Sequence, residues 1–333
     1  MNSMNRRDFI VRSAVVTGGA LLPLSNSAYA EPPPEVKRIR ILKGIAICGA
    51  PEFLAEEMLR AEGFTEVEYV KMDRVRGADA IGASLADISM WDVFATLPVI
   101  DAGKPVVVLA GIHAGCWELF ANDRVDTLRD LKGKNIAIRN FNLGDHVLIS
   151  SMLAYVGIDP KSVNWIKGPT VPDAMRLYME GKADAFMAFA PQGHELREKK
   201  IGRALIDTAQ DKPWSQYYCC AAIGNRDFVQ ANPVATKRVL RALLKATDIC
   251  ARQPEVAARL LVEKGYEPRY NVGLEVLKSL PFDRWREANP EDTLRFYANR
   301  LHEVGMIKTP PNKLIAQGTD WRFLNELKKE LKA

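Results

Sequence analysis

The sequence predicts an α/β protein of two similar lobes, built on mainly parallel sheets and finished by a helical C-terminal third. Three observations predict it. Short apolar runs of strand character alternate with helical periodicity through the first two thirds of the 333 residues. The order β-α-β-α-β occurs twice, and each copy closes on an Ala-Asp pair leading an apolar run, Ala86-Asp87-Ile88-Ser89-Met90 and Ala183-Asp184-Ala185-Phe186-Met187. The remaining third carries mostly helical signals. A chain of this length fits two domains and can bury large cores without disulfide staples.

Ile39, Ile41, Ile45 and Ile47 mark a first extended segment. Pro51 opens a helix with Leu54, Met58 and Ala61 on its apolar face, and Gly63 ends it. Val67 and Tyr69 alternate with Glu66 and Glu68, the pattern of a half-buried strand. Residues 86–90 and 105–110 are buried strands, with helices near 78–84 and 93–102 between and around them. In the second copy, Lys134 to Arg139 is a strand and Gly144 to Tyr155 a helix with Gly157 just past its end. Val163 and Trp165 mark the next strand, and Pro172 opens the next helix. The interval from Gly63 to Ala86 is 23 residues and from Gly157 to Ala183 is 26, so the copies keep step. Leu240, Leu243, Leu244 and Thr247 share a helical face, and Asn289-Pro290-Glu291-Asp292 has the composition of a helix start. A final helix begins near Thr319. The late helices need a surface to cover, so the chain is expected to return to the first lobe through Gln216 to Asn225.

The N-terminus reads as an export signal. Arg6-Arg7-Asp8-Phe9-Ile10 is a twin arginine followed by large apolar residues, Ser13 to Leu24 is weakly polar, and Ala28-Tyr29-Ala30 offers a cleavage site. An ordinary secretory signal is the alternative. Either places the mature start at Glu31 and the protein in the periplasm. Glu31-Pro32-Pro33-Pro34 is an extended leader. The formal net charge is +5 with both signs dispersed, and no basic stripe points to nucleic acid. No later apolar run approaches the roughly 18 residues of a membrane span. Five cysteines, Cys48, Cys116, Cys219, Cys220 and Cys250, are too few for a disulfide scaffold and odd in number. Most are expected to be buried free thiols. A disulfide from Cys116 to Cys219 or Cys220 stays open.

Three stretches carry a family resemblance: Ala86-Asp87-Ile88-Ser89, Asp130-Leu131-Lys132-Gly133-Lys134-Asn135-Ile136-Ala137, and Gly181-Lys182-Ala183-Asp184-Ala185. In this order behind an export signal, they resemble the periplasmic substrate-binding proteins of ABC importers. The group is that of nitrate, sulfonate and taurine binders and thiamine-precursor proteins, SsuA/THI5-like or NMT1-like. The resemblance implies a type II periplasmic-binding-protein fold, two Rossmann-like lobes joined by two hinge crossings with the ligand between them. Residues 31–125 with 222–333 would form one lobe and 126–221 the other. It further implies an ABC permease as partner, a monomer and no cofactor. Thiamine-precursor synthases of related fold carry a longer cysteine run than Cys219-Cys220, so their chemistry is not carried over.

Ligands of open parallel sheets sit beyond the carboxyl ends of strands. Cys48-Gly49-Ala50-Pro51-Glu52 offers backbone N–H groups at a helix start, with Ala50 and Glu52 as candidates. Met90-Trp91-Asp92 offers Trp91, either stacked on a planar ligand or covering the sheet end, and Asp92. Gly111-Ile112-His113-Ala114-Gly115-Cys116-Trp117 places His113 between glycines. His113 and Cys116 could begin a metal site, but no further ligand stands at a recognisable spacing, so none is expected, and a hydrogen-bonding role for His113 is preferred. In Asn140-Phe141-Asn142-Leu143-Gly144-Asp145-His146, Asn142 is expected to cap a helix whose free N–H groups favour an anion, with Asn140 and Gly144 beside it. Phe189 and Gln192 complete the candidates, with Gly168-Pro169-Thr170 a further rim. Glu52, Asp92 and Asp145 disfavour a bare inorganic anion, unless they cap their own helices, as expected for two of them. An acid that points inward suits an amino or ring N–H group, so a planar, nitrogen-bearing or aromatic organic ligand is preferred over an inorganic anion, within the small organic classes sulfonate, aromatic or pyrimidine-like. The function these readings give is a non-enzymatic solute-binding component of an ABC importer. An enzyme on the same scaffold, a precursor synthase or decarboxylase, and an exported sensor are the alternatives.

Overall fold

The two copies of the β-α-β-α-β plan share one strand order in a computed structural model, which describes residues 31–332 apart from Ile45, Asp73, Arg74 and Arg76; the first copy is a two-stranded and a three-stranded sheet lying side by side, the second a single five-stranded sheet. The predicted signal, residues 1–30, lies outside the described residues, and everything below belongs to the unit Pro33–Ala333. In the first copy, β1 (Arg38–Leu42) and β2 (Glu66–Val70) are parallel, with Arg38 opposite Glu66 and Leu42 opposite Val70. β3 (Ile88–Asp92) and β4 (Val106–Ala114) both pair antiparallel with β10 (Tyr218–Asn225), which lies between them. In the second copy, β6 (Asn135–Ile138) runs parallel to both β7 (Asn164–Lys167) and β8 (Ala185–Phe189). There β5 (Trp117–Ala121) is antiparallel to β8 and to β9 (Arg203–Asp207), giving the order β7-β6-β8-β5-β9. β1 lies beside β3, so the first copy reads β2-β1-β3-β10-β4, the same arrangement strand for strand.

The repeated Ala-Asp pair has a structural reason. The Asp87 N–H donates to the Arg40 carbonyl at 2.9 Å, and its carboxylate accepts from the Arg40 N–H at 2.8 Å. Asp184 does the same with Asn135, donating at 2.7 Å and accepting at 3.0 Å. Each aspartate carbonyl then accepts from an asparagine N–H on its other side, Asn225 at 2.8 Å and Asn122 at 3.0 Å. One residue thus ties three neighbouring strands together at their start, and both side chains are buried with an arginine partner, Arg40 and Arg124. The alanine before it is fully or nearly fully buried in both copies, where a larger side chain has no room.

Helices follow their caps. The helix α1 (Ala50–Ala61) has Pro51 in its first turn, and Gly63 beyond its end takes φ +106. After α2 (Ala78–Gly82) and α3 (Val93–Asp101), α4 (Gly144–Tyr155) has the predicted bounds, with Gly157 at φ +76. α5 (Val171–Met179) and α6 (Gln192–Glu198) complete the second copy. From Arg226 onwards the described chain is helical apart from turns, beginning with α7 (Arg226–Ala231) and the 20-residue α8 (Pro233–Arg252), which packs along α1. Four further helices follow, α9 (Pro254–Glu263), α10 (Tyr270–Ser279), α11 (Pro290–Glu303) and α12 (Pro311–Gly318), before the last, α13 (Arg322–Glu330). Asn289 caps α11 through the Glu291 N–H, as its sequence predicts.

Three expectations need correction. The first extended segment stops at Leu42, and Ile47 sits in a 3₁₀ turn, Ile47–Gly49. The loop expected over Gly111 to Cys116 is largely strand, because β4 runs on to Ala114. Gly111 is there because the ring of Tyr218 lies against it, 2.4 Å from where a Cβ would stand. The final helix starts at Arg322, since Thr319 bridges Val108 at the sheet edge. The return through Gln216 to Asn225 is present as β10. The outward passage from β4 to β5 is the two-residue link Gly115-Cys116.

Candidate functional site

A cavity of about 430 Å³ opens where strands of both sheets end. Lys43 follows β1, Lys71 follows β2, Trp91 and Asp92 close β3, Arg139 follows β6, and Phe189 closes β8. Each is the residue at or just past a strand's carboxyl end, as the crevice rule for α/β sheets requires. Trp117 at the start of β5, Met72 and Met90 add apolar surface. Cys48, Cys116 and Cys220 line the cavity from the 3₁₀ turn and the two passages between the sheets.

Charge in the cavity is set by burial. Glu52 is 2% exposed, and burial pushes its carboxyl up to about 8, against hydrogen bonds from the Met90 N–H at 2.6 Å and the Ser89 hydroxyl. Burial, with the neighbouring Cys220 charge, likewise pushes Asp92 up to about 8, although the Trp117 indole N–H donates to it at 3.2 Å. Asp145 does not line the cavity. Its carboxylate accepts from the Arg139 N–H at 2.7 Å and from the Arg139 guanidinium at 3.1 Å. The guanidinium lies 5.7 Å from the Trp117 ring and 5.8 Å from the Phe189 ring, within cation–π range of both. Burial thus favours the neutral form of both carboxyls and weakens their repulsion of an anion, while Lys43, Lys71 and Arg139 line the same wall.

Glu52 sets a pH signature. Between the ordinary carboxyl value of 4.5 and about 8, the folded state holds a proton that the unfolded chain releases. Stability is therefore expected to fall as pH rises through that window, by up to about 1.4 kcal/mol per pH unit from this group. Glu52→Gln keeps an acceptor for Ser89 and Met90 and cannot ionise. Urea unfolding from about pH 5 to 8 should show a shallower decline for the variant, which becomes the more stable protein near pH 8 by about 1–3 kcal/mol. Equal slopes would mean that Glu52 does not titrate on unfolding.

Of the residues singled out in the sequence, the structure brings Glu52, Trp91, Asp92 and Phe189 together in the cavity wall. Ala50 is buried as the first residue of α1. Gly144 opens α4 against Asp92, whose carboxylate lies 2.6 Å from where a Cβ would stand. Gln192 opens α6 outside the lining, its side-chain oxygen accepting from the Phe189 N–H at 3.2 Å. Asn140 and Asn142 are exposed outside the lining, and Asn142 does not cap α4. Asn142 stands at φ +64 and its N–H is taken by the His146 ring at 3.2 Å, while Leu143 occupies the cap position. Neither Glu52 nor Asp92 caps a helix with its side chain, and Asp145 bonds Arg139 along with its neighbour's N–H. His113 is fully buried in β4 behind the cavity wall, where its ring meets Phe282 edge-on at 5.1 Å.

Lys43, Lys71, Met72, Arg139 and Trp117 were missed, although the strand-end rule that found Trp91 applies equally to Lys43, Lys71 and Arg139. The thiols were legible only in part: the sequence set Cys116 beside Cys219 or Cys220, and the Cys116 and Cys219 sulfurs do meet, but Cys48 was not connected to them. His113 and Cys116 lacked further ligands at short spacing, yet the fold brings Cys48 and Cys220 to them, with one donor atom from each of the four within 4.8 Å of the others. All five cysteines are free, Cys116 and Cys219 with sulfurs 2.9 Å apart. Hydrogen bonds from the Cys116, Cys219 and Cys48 thiols hold Cys220 well below the ordinary thiol range, while burial holds Cys116 and Cys219 well above it.

The NMT1/THI5-like family model matches residues 47–257, well over half of the chain. The chain belongs to the NMT1/THI5-like family. A family relative, 4-amino-5-hydroxymethyl-2-methylpyrimidine phosphate synthase THI12 of Saccharomyces cerevisiae, is 26% identical over 209 residues, 58% of this chain. The match spans 59% of that relative's length. Among solved structures, the periplasmic nitrate-binding protein NrtA from Synechocystis PCC 6803 superposes with a TM-score of 0.73 at 16% identity, covering 90% of each chain. The alkanesulfonate-binding protein SsuA from Xanthomonas axonopodis pv. citri, solved with MOPS bound, gives 0.67 at 16% identity over 88% of this chain and 99% of its own. The fold is that of periplasmic binding proteins, a fold suited to holding a ligand. Among the described residues, no helix is long and apolar enough to cross a membrane.

Proposed function

We propose that this member of the family is the exported solute-binding component of an ABC importer, and that it captures a small organic anion with a planar or aromatic body. The signal would be cleaved after Ala30 and the mature protein would work in the periplasm as a monomer, delivering its ligand to a membrane permease. Two lobes, 31–125 with 222–333 and 126–221, would close on the ligand, with β5 and β10 as the strands they exchange at the crossings. The observation that carries this reading is the cavity wall itself. Three basic residues stand with Trp91, Trp117 and Phe189, while burial favours the neutral form of the neighbouring carboxyls and leaves Cys220 as the acid that the basic residues outnumber. A sulfonate or carboxylate finds charge-assisted donors, and a ring finds aromatic faces worth about 0.5–1.5 kcal/mol each beyond burial. Nitrate would leave the aromatic wall unused.

Two of the six tryptophans, Trp91 and Trp117, line the cavity and serve as reporters. Titration with aromatic sulfonates, aromatic carboxylates, pyrimidines, taurine and nitrate, read by tryptophan emission, is expected to give saturable binding for the planar organic anions ahead of nitrate. Small-angle scattering at saturation should show a smaller radius of gyration, because closure follows only from tighter binding to the closed form. No saturable response from any class, or unchanged scattering dimensions, refutes the reading. A second reading, an enzyme on the same scaffold, is favoured by one observation: a thiol with a depressed pKa on the cavity wall of a chain whose curated relatives are named as synthases. Chemical change of a bound ligand, followed by mass spectrometry, would select it.

A further inference from the structure

We propose that Cys48, His113, Cys116 and Cys220 form a tetrahedral site for Zn²⁺ at the base of the cavity. The four ligands come from three segments that only the fold brings together: the 3₁₀ turn after β1, the passage from β4 to β5, and the returning strand β10. Three thiolates and one imidazole are the donor set of closed structural zinc sites. Zinc–ligand bonds of roughly 2.0–2.3 Å place neighbouring donors roughly 3.5–3.8 Å apart. The four donor atoms already lie within 4.8 Å of one another, so contraction by about 1 Å at the widest pair completes the geometry.

His113 supplies the independent observation. The residue is fully buried, and its Nδ1 lies 3.2 Å from the Ala114 carbonyl oxygen, which fixes the proton there. That tautomer leaves the lone pair on Nε2, an atom that is buried and has no hydrogen-bond partner. A histidine oriented through one nitrogen by a carbonyl, with the other unpaired, is the arrangement a metal ligand needs. An orphan buried acceptor is otherwise uncommon and unfavourable. Cys116 adds a second sign. It stands at φ +102, a conformation disfavoured for a residue with a side chain, and the strain is held where its sulfur joins the cluster. Zinc binding would release the thiol protons to solvent and tie the returning strand to the turn after β1, stapling the cavity base.

The rival fate of these sulfurs is oxidation. Cys116 and Cys219 are 2.9 Å apart, and a disulfide between them would remove one ligand. The test uses the full chain, isolated with its thiols trapped at lysis for one portion and kept reduced and anaerobic for the other. After chelator stripping, the reduced protein is titrated with Zn²⁺ and with Co²⁺. The expected result is one metal per chain, thiolate-to-cobalt charge-transfer absorption, proton release on binding and a raised Tm. Cys48→Ser and Cys220→Ser should weaken binding by roughly 100-fold or more, while Cys250→Ser, a buried thiol in α8 away from the cluster, should not. X-ray absorption on the wild-type metal complex should show a mixed sulfur and nitrogen shell, and this reading needs no variant to fold. No stoichiometric uptake, a shell without sulfur, or a Cys116–Cys219 disulfide in the trapped portion overturns the proposal. Titration of organic anions into the chelated protein is read separately, so loss of the zinc site and loss of the proposed ligand-binding function are told apart.

Discussion

Asp145→Ala is expected to destabilise the protein by about 3–5 kcal/mol, measured by urea unfolding at neutral pH. The reason is where the change leaves its neighbours. The Asp145 side chain is 2% exposed and that of Arg139 is 13% exposed, so the pair is held almost out of water. Removing the carboxylate strands a guanidinium at the cavity wall with no counter-charge and frees the Arg139 and His146 N–H groups that it accepts. Asp145→Asn keeps an acceptor in place and removes only the charge, so a smaller loss of about 1–3 kcal/mol follows. Arg139→Ala produces the mirror-image fault and also removes the cavity's guanidinium. In the anion titration it should therefore reduce affinity, and Arg139→Lys should recover only part of the loss. A lysine keeps the charge but not the planar face between Trp117 and Phe189. A loss below about 1 kcal/mol for Asp145→Ala would mean that water reaches the pair and that its burial does not govern its energy.

The same pair shows how far a sequence can be read. Asp145 was legible as an acid in the first turn of a helix, which is where a dipole argument places it. Its partner was not, because Arg139 stands outside the helix, where no helical periodicity points at it. Elements with strong local rules came through intact. The bounds of α4 follow from apolar periodicity closed by Gly157, and the cap at Asn289 from a side chain that can accept from the helix start. The Ala-Asp repeat was visible as a pattern, but its cause, one carboxylate bonding the adjacent strand, appears only once the strands are side by side. Gly111 and Gly115 were misread together as loop glycines. The first is a close approach inside a strand, and only the second takes a positive φ. The thiol cluster lay beyond any spacing argument, since Cys48 and Cys220 meet His113 solely through pairing of β10 with β4 and the position of the turn after β1.

Gly115→Ala tests the tightest point of that geometry. Gly115 stands at φ +71, and a Cβ there would lie 2.5 Å from both the Cα and the Cβ of Ala209 and 2.9 Å from its N. The left-handed backbone alone costs a side-chain-bearing residue roughly 1–2 kcal/mol. The obstruction includes main-chain atoms of the segment following β9, which cannot rotate away as a long side chain would, so overpacking adds roughly 1–3 kcal/mol. A total loss of about 2–5 kcal/mol is expected in urea unfolding, compared with only the backbone share, about 1–2 kcal/mol, for Gly103→Ala, a glycine at φ +78 with open space around its Cβ position. The functional consequence runs through the next residue. Gly115 and Cys116 are the whole passage from β4 to β5, and a shift of the passage away from Ala209 moves the Cys116 sulfur at the cavity wall. The variant should therefore alter tryptophan emission from Trp117 in the folded state before any unfolding begins. A Gly115→Ala protein with wild-type stability and emission would show that the passage relaxes freely, and a passage so compliant could not hold the cysteine in its strained position.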